Sequence, residues 1–235
     1  MRWKSRSRTM ATFAILTLVL MLVPGAWAGI KYSVLYNFKG GKNGAGPGAL
    51  VSDAEGNLYG VTATGGDGGN GGCGTVFELS RVKNGWAEKV LYRFTANARD
   101  GCIPATDLAL AFDMKGNLYG TTIRGGQGNC SGGGCGTVFE LTLNSEGRWK
   151  ETVLYRFSGE ADGEAPYFGV ILDAVGNVYG TTAGGDPSCG CGTVFELTPL
   201  AGGGWTKTIL HAFGGTDGAT NRKWTILWAS LRRTL

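Results

Sequence analysis

Apolar and polar positions alternate along this chain in short runs, and the runs return on a schedule. Val90-Leu91-Tyr92-Arg93-Phe94 is answered by Val153-Leu154-Tyr155-Arg156-Phe157 and Ile209-Leu210-His211-Ala212-Phe213, with Tyr32–Phe38 as an opening counterpart. Trp86, Trp149 and Trp205 each stand five residues before the leucine of such a run. Two-residue alternation rich in β-branched and aromatic side chains predicts strands, because successive strand side chains point to opposite faces. Gly56-Asn57-Leu58-Tyr59-Gly60 returns at 116–120 and, with Val178 for leucine, at 176–180, a period of 60 residues. Past a glycine-rich gap each is followed by Gly-Thr-Val-Phe-Glu-Leu, at 74–79, 136–141 and 192–197. No stretch after residue 28 has helical periodicity.

Turn residues separate the runs. Asn43-Gly44, Asp100-Gly101, Asp162-Gly163 and Asp217-Gly218 pair types that tolerate positive φ, and Pro47, Pro104 and Pro166 follow three residues after the first three glycines. A short apolar strand then runs into Asp53, Asp113 or Asp173, each opening an Asp-x-x-Gly-Asn turn with Gly56, Gly116 or Gly176. There the carboxylate is placed to accept backbone N–H bonds and the glycine to turn left-handed. One repeat therefore holds four strands: into Asp53, Asn57–Thr62, Gly74–Leu79 and Trp86–Phe94. Short connections favour antiparallel neighbours. The predicted fold is all-β, a β-propeller-like tandem of four-stranded antiparallel units. A lone four-stranded sheet leaves both faces wet, so the recurring Leu, Tyr, Val and Phe positions are expected between blades.

Three full units fall at about 47–94, 103–157 and 165–213, inside an array spanning 29–218. A fourth begins at Asp217-Gly218 and is interrupted: Asn221 stands where proline is expected, and 219–235 carries no further motif. That tail is expected to be a truncated or frame-shifted end of a longer repeat protein, the alternative being a capping segment. Propellers have roughly four to eight blades, so three that cannot close alone leave an oligomer open as an expectation.

Glycine, at 43 residues, clusters between apolar runs and so reads as turns and loops rather than a disordered tract. The net charge of +4 is a property of the ends: eight of the 22 basic residues lie in 1–8 and 222–233, leaving 14 basic against 18 acidic between them. A nucleic-acid partner needs a basic face, and the repeats supply none. Arg2, Lys4, Arg6 and Arg8 precede the apolar run Met10–Val23, Pro24-Gly25 breaks it, and Ala26-Trp27-Ala28 offers small residues for cleavage. Residues 1–28 therefore read as a signal peptide cut after Ala28, too short in its apolar part to span about 30 Å of bilayer. No membrane span is expected after cleavage, and the product is placed outside the cytoplasm: secreted, periplasmic or at the cell surface.

The motif Leu-x-x-Asp-x-x-Gly-Asn-Leu-Tyr-Gly-Thr-Thr-x-x-Gly-Gly, clearest at Leu110–Gly126, with the Cys-Gly-Thr-Val-Phe-Glu-Leu-Thr that follows, resembles the GloVer tandem-repeat family of secreted or surface-anchored bacterial proteins. The likeness covers residues 31–218; unit one departs from it with Val61 where the others have Thr121 and Thr181. It implies a propeller-type array with a variable C-terminal anchor, and it brings no established activity or site.

Six cysteines in an exported chain suggest disulfides, with fifteen pairings open. Cys73, Cys135 and Cys191 each precede Gly-Thr-Val-Phe, while Cys130 and Cys189 lie upstream in the same loops. Cys130–Cys135 is expected to close its loop. Cys189–Cys191 would form a strained small ring. Cys73 and Cys102 are left to tie unit one to unit two. A zinc site is the alternative, but no Cys-x-x-Cys pair is present and there is one histidine.

Neither a metal nor an organic cofactor is expected, and no catalytic residue is assigned. His211 occupies the register of Tyr36, Tyr92 and Tyr155, which favours packing over general-base chemistry. Asp53, Asp113 and Asp173 read as turn residues, since Asp-x-x-Gly-Asn lacks the alternating oxygens of a calcium loop. The runs at 65–72 and 132–134 lack the Gly-Lys-Ser/Thr of a phosphate loop. They vary instead in length, with 62 and then 56 residues between successive Gly-Thr-Val-Phe motifs. Variable loops on a rigid array are where binding surfaces lie, so Ala63–Gly72 and Ile123–Gly134 form the expected rim. Three functions follow in order of preference. The first is a non-enzymatic exported scaffold that meets an extracellular ligand or surface partner through these loops. The second is a propeller lyase or hydrolase acting on an extracellular polysaccharide or peptide, with Asp67, Arg124 and Asp186 as scattered polar candidates. The third is a non-functional fragment.

Overall fold

The computed structural model describes residues 31–66, 71–95, 100–108, 110–130, 133–185 and 189–215. The signal segment with Ala28, the tail 219–235, and Asp67, Asp186 and Asp217 lie outside these residues. The protein is all-β and antiparallel, as its alternation predicts. Strands β1 (Ala45–Ser52), β2 (Leu58–Thr64), β3 (Thr75–Val82) and β4 (Gly85–Arg93) form the first sheet in that order. The second contains β5 (Gly101–Pro104), β6 (Ala111–Phe112), β7 (Leu118–Gly125), β8 (Thr137–Leu143) and β9 (Trp149–Arg156). There β5 and β6 both pair with β7, so they act as one interrupted outer strand. The third runs β10 (Ile171–Leu172), β11 (Val178–Thr181), β12 (Thr193–Pro199) and β13 (Trp205–Ala212), extended on its outer edge by a Glu164–Gly184 bridge. The three sheets do not close into a ring.

Tyr32–Phe38 departs from the sequence expectation: residues 31–40 are not in a strand. The run has strand-forming side chains, but its counterparts β4, β9 and β13 each pair with a third strand that precedes them in their own sheet, and no such strand precedes this segment among the described residues. Its aromatic residues nevertheless take the expected register. Tyr36 and Phe38 meet edge to face at 5.1 Å, as do Tyr92 and Phe94, and Tyr155 and Phe157 at 5.2 Å.

The recurring apolar residues lie between sheets. Tyr59, Val61, Val76 and Phe94 of the first sheet pack with Leu110, Leu118, Phe139 and Leu141 of the second. Tyr119, Val138 and Phe157 repeat this against Val170, Val178, Phe195 and Leu197 of the third. Fully burying one such side chain is worth about 1.5–3 kcal/mol, so stacking is what stabilises sheets this small. Phenylalanines carry the junctions edge to face: Phe38 on Phe77 at 4.8 Å, Phe94 on Phe139 at 5.1 Å, Phe157 on Phe195 at 5.2 Å. The Tyr-Gly glycine is required beneath this ladder, since a Cβ on Gly60, Gly120 or Gly180 would lie 2.8, 2.6 or 2.4 Å from the Phe Cζ of the neighbouring strand. At the same level the pairing of each third and fourth strand slips by one residue, at Val76/Phe77, Val138/Phe139 and Val194/Phe195. These bulges leave Leu91, Leu154 and Leu210 as the extra residues. Leu91 and Leu154 pack into the clusters shared with the next sheet.

Candidate functional site

The antiparallel order sends the two kinds of connection to opposite ends of the sheets. At one end are the Asp-x-x-Gly-Asn turns. Oδ1 of Asp53, Asp113 and Asp173 accepts the backbone N–H of Asn57, Asn117 and Asn177 at 2.8, 2.9 and 2.8 Å. Oδ2 accepts the same asparagine's side chain at 2.9 Å in all three, and the tyrosine hydroxyl of the strand that follows. Gly56, Gly116 and Gly176 take φ of 83°, 83° and 91°. The carboxylates are thus engaged within their own turns. Burial alone would raise the Asp53 and Asp173 carboxyls, but the bonds from Asn57 and Tyr59, and from Asn177 and Tyr179, hold both below the usual carboxylate range. Between the second and third sheets this end opens into a groove of about 540 Å³, whose lining includes Met114, Lys115, Tyr119, Glu140, Val175 and Trp205.

At the other end lie the glycine-rich loops between second and third strands. Each is clasped at its base by two buried threonine hydroxyls: Thr62 with Thr75 at 2.9 Å, Thr122 with Thr137 at 2.8 Å, Thr182 with Thr193 at 2.8 Å. The sequence carries the signal, because these threonines recur in every unit. Composition gives no reason to expect fully buried polar residues, so the clasp emerges only from the register. All three disulfides sit at this end. Cys73–Cys102 joins the first loop to β5 of the next sheet, with Cα atoms 4.6 Å apart. Cys130–Cys135 and Cys189–Cys191 each stay within one loop. Cys130 and Cys135 also approach Glu164, but sulfurs joined to each other offer no thiolate to a metal.

The backbone is strained where the sheets meet here. The residue before each repeat proline has positive φ: Gly46 at 67°, Ile103 at 57°, Ala165 at 50°. For β-branched Ile103 this is a sterically poor region. Hydrogen bonds across the junction hold it, from Ile103 N–H to the Cys73 carbonyl at 2.9 Å and from Ala165 N–H to the Cys135 carbonyl at 2.8 Å. Beside the second junction is a pocket of about 240 Å³ lined by Arg124, Cys130, Glu164, Tyr167 and loop glycines. Arg124 is exposed at its mouth.

Residues 24–230 match the Gloeobacter/Verrucomicrobia repeat. The chain belongs to that family. No curated protein matches it. In this Gloeobacter/Verrucomicrobia repeat protein three disulfides point to an oxidising environment. No helix among the described residues is long and apolar enough to cross a membrane.

Three charged residues at one register position of the fourth strands escape a motif search. Lys207 of β13 lies 2.6 Å from Asp162 Oδ1, donates to the Asp162 carbonyl, and sits 4.9 and 5.0 Å from the Tyr155 and Phe157 rings. Glu88 and Glu151 occupy the same register in β4 and β9, two residues past each tryptophan. Glu88 accepts bonds from Tyr36 and Asn43 at 2.9 and 2.6 Å. Glu151 faces Asp100, and its Oε1 is buried without a partner among the described residues. Burial, then the Asp100 charge, push the Glu151 carboxyl up to about 7 against a smaller pull from Arg156. His211 is exposed and meets Phe213 edge to face at 4.5 Å, in the register of the three tyrosines.

Proposed function

We propose that this protein is an exported repeat scaffold that binds an extracellular ligand or surface partner through the glycine-rich loop rim. The observation that carries the reading is the gathering of the loops, all three disulfides and the pocket with Arg124, Glu164 and Tyr167 at one end of a stacked, apolar-cored array. Rigid bases under loops of unequal length let one end vary while the core stays constant. The N-terminal apolar run and the disulfides support export. A cation, a carboxylate and an exposed aromatic ring around one pocket suit a polar ligand of the oligosaccharide or peptide class.

A glycan array and a peptide library probed with the purified chain test this reading, followed by the same binding assay on Arg124→Ala and Tyr167→Ala. Loss of a specific signal in both variants, with unchanged melting, is the expected result. Turnover of any bound polysaccharide or peptide would replace the scaffold with the propeller-enzyme reading.

A further inference from the structure

The two outer faces of the stack are the two halves of the junction that already joins its sheets. At the inner junctions Val76 and Val138 are fully buried by the following sheet; their counterpart Val194 is only half-buried. Leu210, the bulge residue matching Leu91 and Leu154, is 50 % exposed. Thr121 directs its hydroxyl at the Pro166 and Phe168 carbonyls of the next sheet, 3.0 Å from each. Its counterpart Thr181 is 6 % exposed, and its Oγ1 has no partner among the described residues. This face of the third sheet is built to receive another sheet. At the opposite end Leu50 is 44 % exposed where its counterpart Leu110 is 5 %. That face is built to lie against a preceding one.

We propose that the occupant is a second copy of this chain, joined head to tail at both faces, so that two copies of three sheets close one six-bladed ring. Six lies within the roughly four to eight blades that propellers use, and a head-to-tail contact that closes gives a finite assembly. The continuity with the existing junctions supplies the partners. Leu210 covers the Leu50 face of the neighbour, and Thr181 meets the carbonyls of its Pro47 and Ala49, which stand in register with Pro166 and Phe168.

One segment holds that seat in the single chain. Tyr36 and Phe38 occupy, against Glu88 and Phe77, the place that His211 and Phe213 of a neighbour would take. In the ring the His211 imidazole N–H replaces the Tyr36 hydroxyl as a donor to Glu88, whose Oε1 is buried without a partner among the described residues. Tyr36–Phe38 is outside any strand, so it leaves without breaking a sheet ladder. The segment therefore competes with dimer closure.

Sedimentation equilibrium on the full chain tests the proposal. The wild type is expected to show a concentration-dependent dimer. The double variant Tyr36→Ala/Phe38→Ala is expected to tighten it at least tenfold, and Leu210→Asp and, separately, Leu50→Asp to weaken it at least tenfold. Both leucines are surface residues in the single chain, so circular dichroism and melting at low concentration should match the wild type. A chain that stays monomeric in both the wild type and the double variant overturns the proposal. So does a dimer that either aspartate variant leaves intact.

Discussion

Lys207 Nζ lies 2.6 Å from Asp162 Oδ1 across the junction of the second and third sheets, with the lysine side chain only 6 % exposed. Removing one partner of a buried pair strands the other charge, at a cost of about 3–5 kcal/mol. Lys207→Met is therefore expected to lower stability in a urea titration, by less than that full cost, because Asp162 keeps bonds from the Tyr155 hydroxyl and from the Ser158 N–H and hydroxyl. Lys207→Met combined with Asp162→Asn should recover part of the loss. A double variant no better than the single one would remove the pair from the account of this junction.

At the preceding junction the same register holds Glu151 against Asp100, two acids where the later one has an acid and a base. The Glu151 carboxyl is raised to about 7 in the folded protein, above the ordinary glutamate value. The folded state therefore binds the extra proton, and the stability linked to Glu151 is present below about pH 4.5 and is lost as pH rises towards 7. Glu151→Gln should flatten that part of the stability-against-pH curve and raise stability at pH 7. Glu151→Lys, copying the later junction, should do so as well. Chemical denaturation at four or five pH values checks this, and an unchanged slope for Glu151→Gln would refute it.

The Ile103 backbone is expected to be a site where a smaller residue helps. Its φ of 57° costs an L residue about 1–2 kcal/mol that glycine avoids, and the first unit already has Gly46 at this position. Ile103→Gly should hold or raise the melting temperature, against the usual penalty for introducing glycine, provided the bond from its N–H to the Cys73 carbonyl is kept. A loss of more than about 1 kcal/mol would mean that the isoleucine side chain contributes more than its backbone costs.

Much of the fold is legible in the sequence because each unit repeats a physical requirement. Asp-x-x-Gly-Asn specifies its own turn, and the alternation around Tyr59, Val76 and Phe94 marks a face that must be covered. What does not show locally is contact between units. Nothing near Lys207 announces a buried cation; only its alignment with Glu88 and Glu151 reveals that one register position carries either sign. Nor does Tyr32–Phe38 reveal that it has no strand partner among the described residues, because strand propensity belongs to the segment and pairing belongs to the neighbour. The buried threonine clasps lie between these cases, visible as recurrence and interpretable only once Thr62 and Thr75 are seen side by side.

The disulfides separate local from inter-unit stabilisation. Cys73–Cys102 spans 29 residues and crosses from the first sheet to the second, whereas Cys130–Cys135 spans five within one loop. Loop-closure entropy assigns about 3.5 kcal/mol to the longer link and about 2 kcal/mol to the shorter. Replacing Cys73 and Cys102 by serine should thus lower stability more than replacing Cys130 and Cys135. It should also speed hydrogen exchange at the Ile103 amide, whose acceptor is the Cys73 carbonyl, because that bond loses its covalent anchor. The shorter pair should leave the Ile103 amide untouched and loosen the rim around Arg124, so a binding signal lost only with Cys130 and Cys135 would tie ligand recognition to that loop. Equal losses of stability from both pairs, with no change at Ile103, would mean that apolar stacking alone holds the first two sheets together.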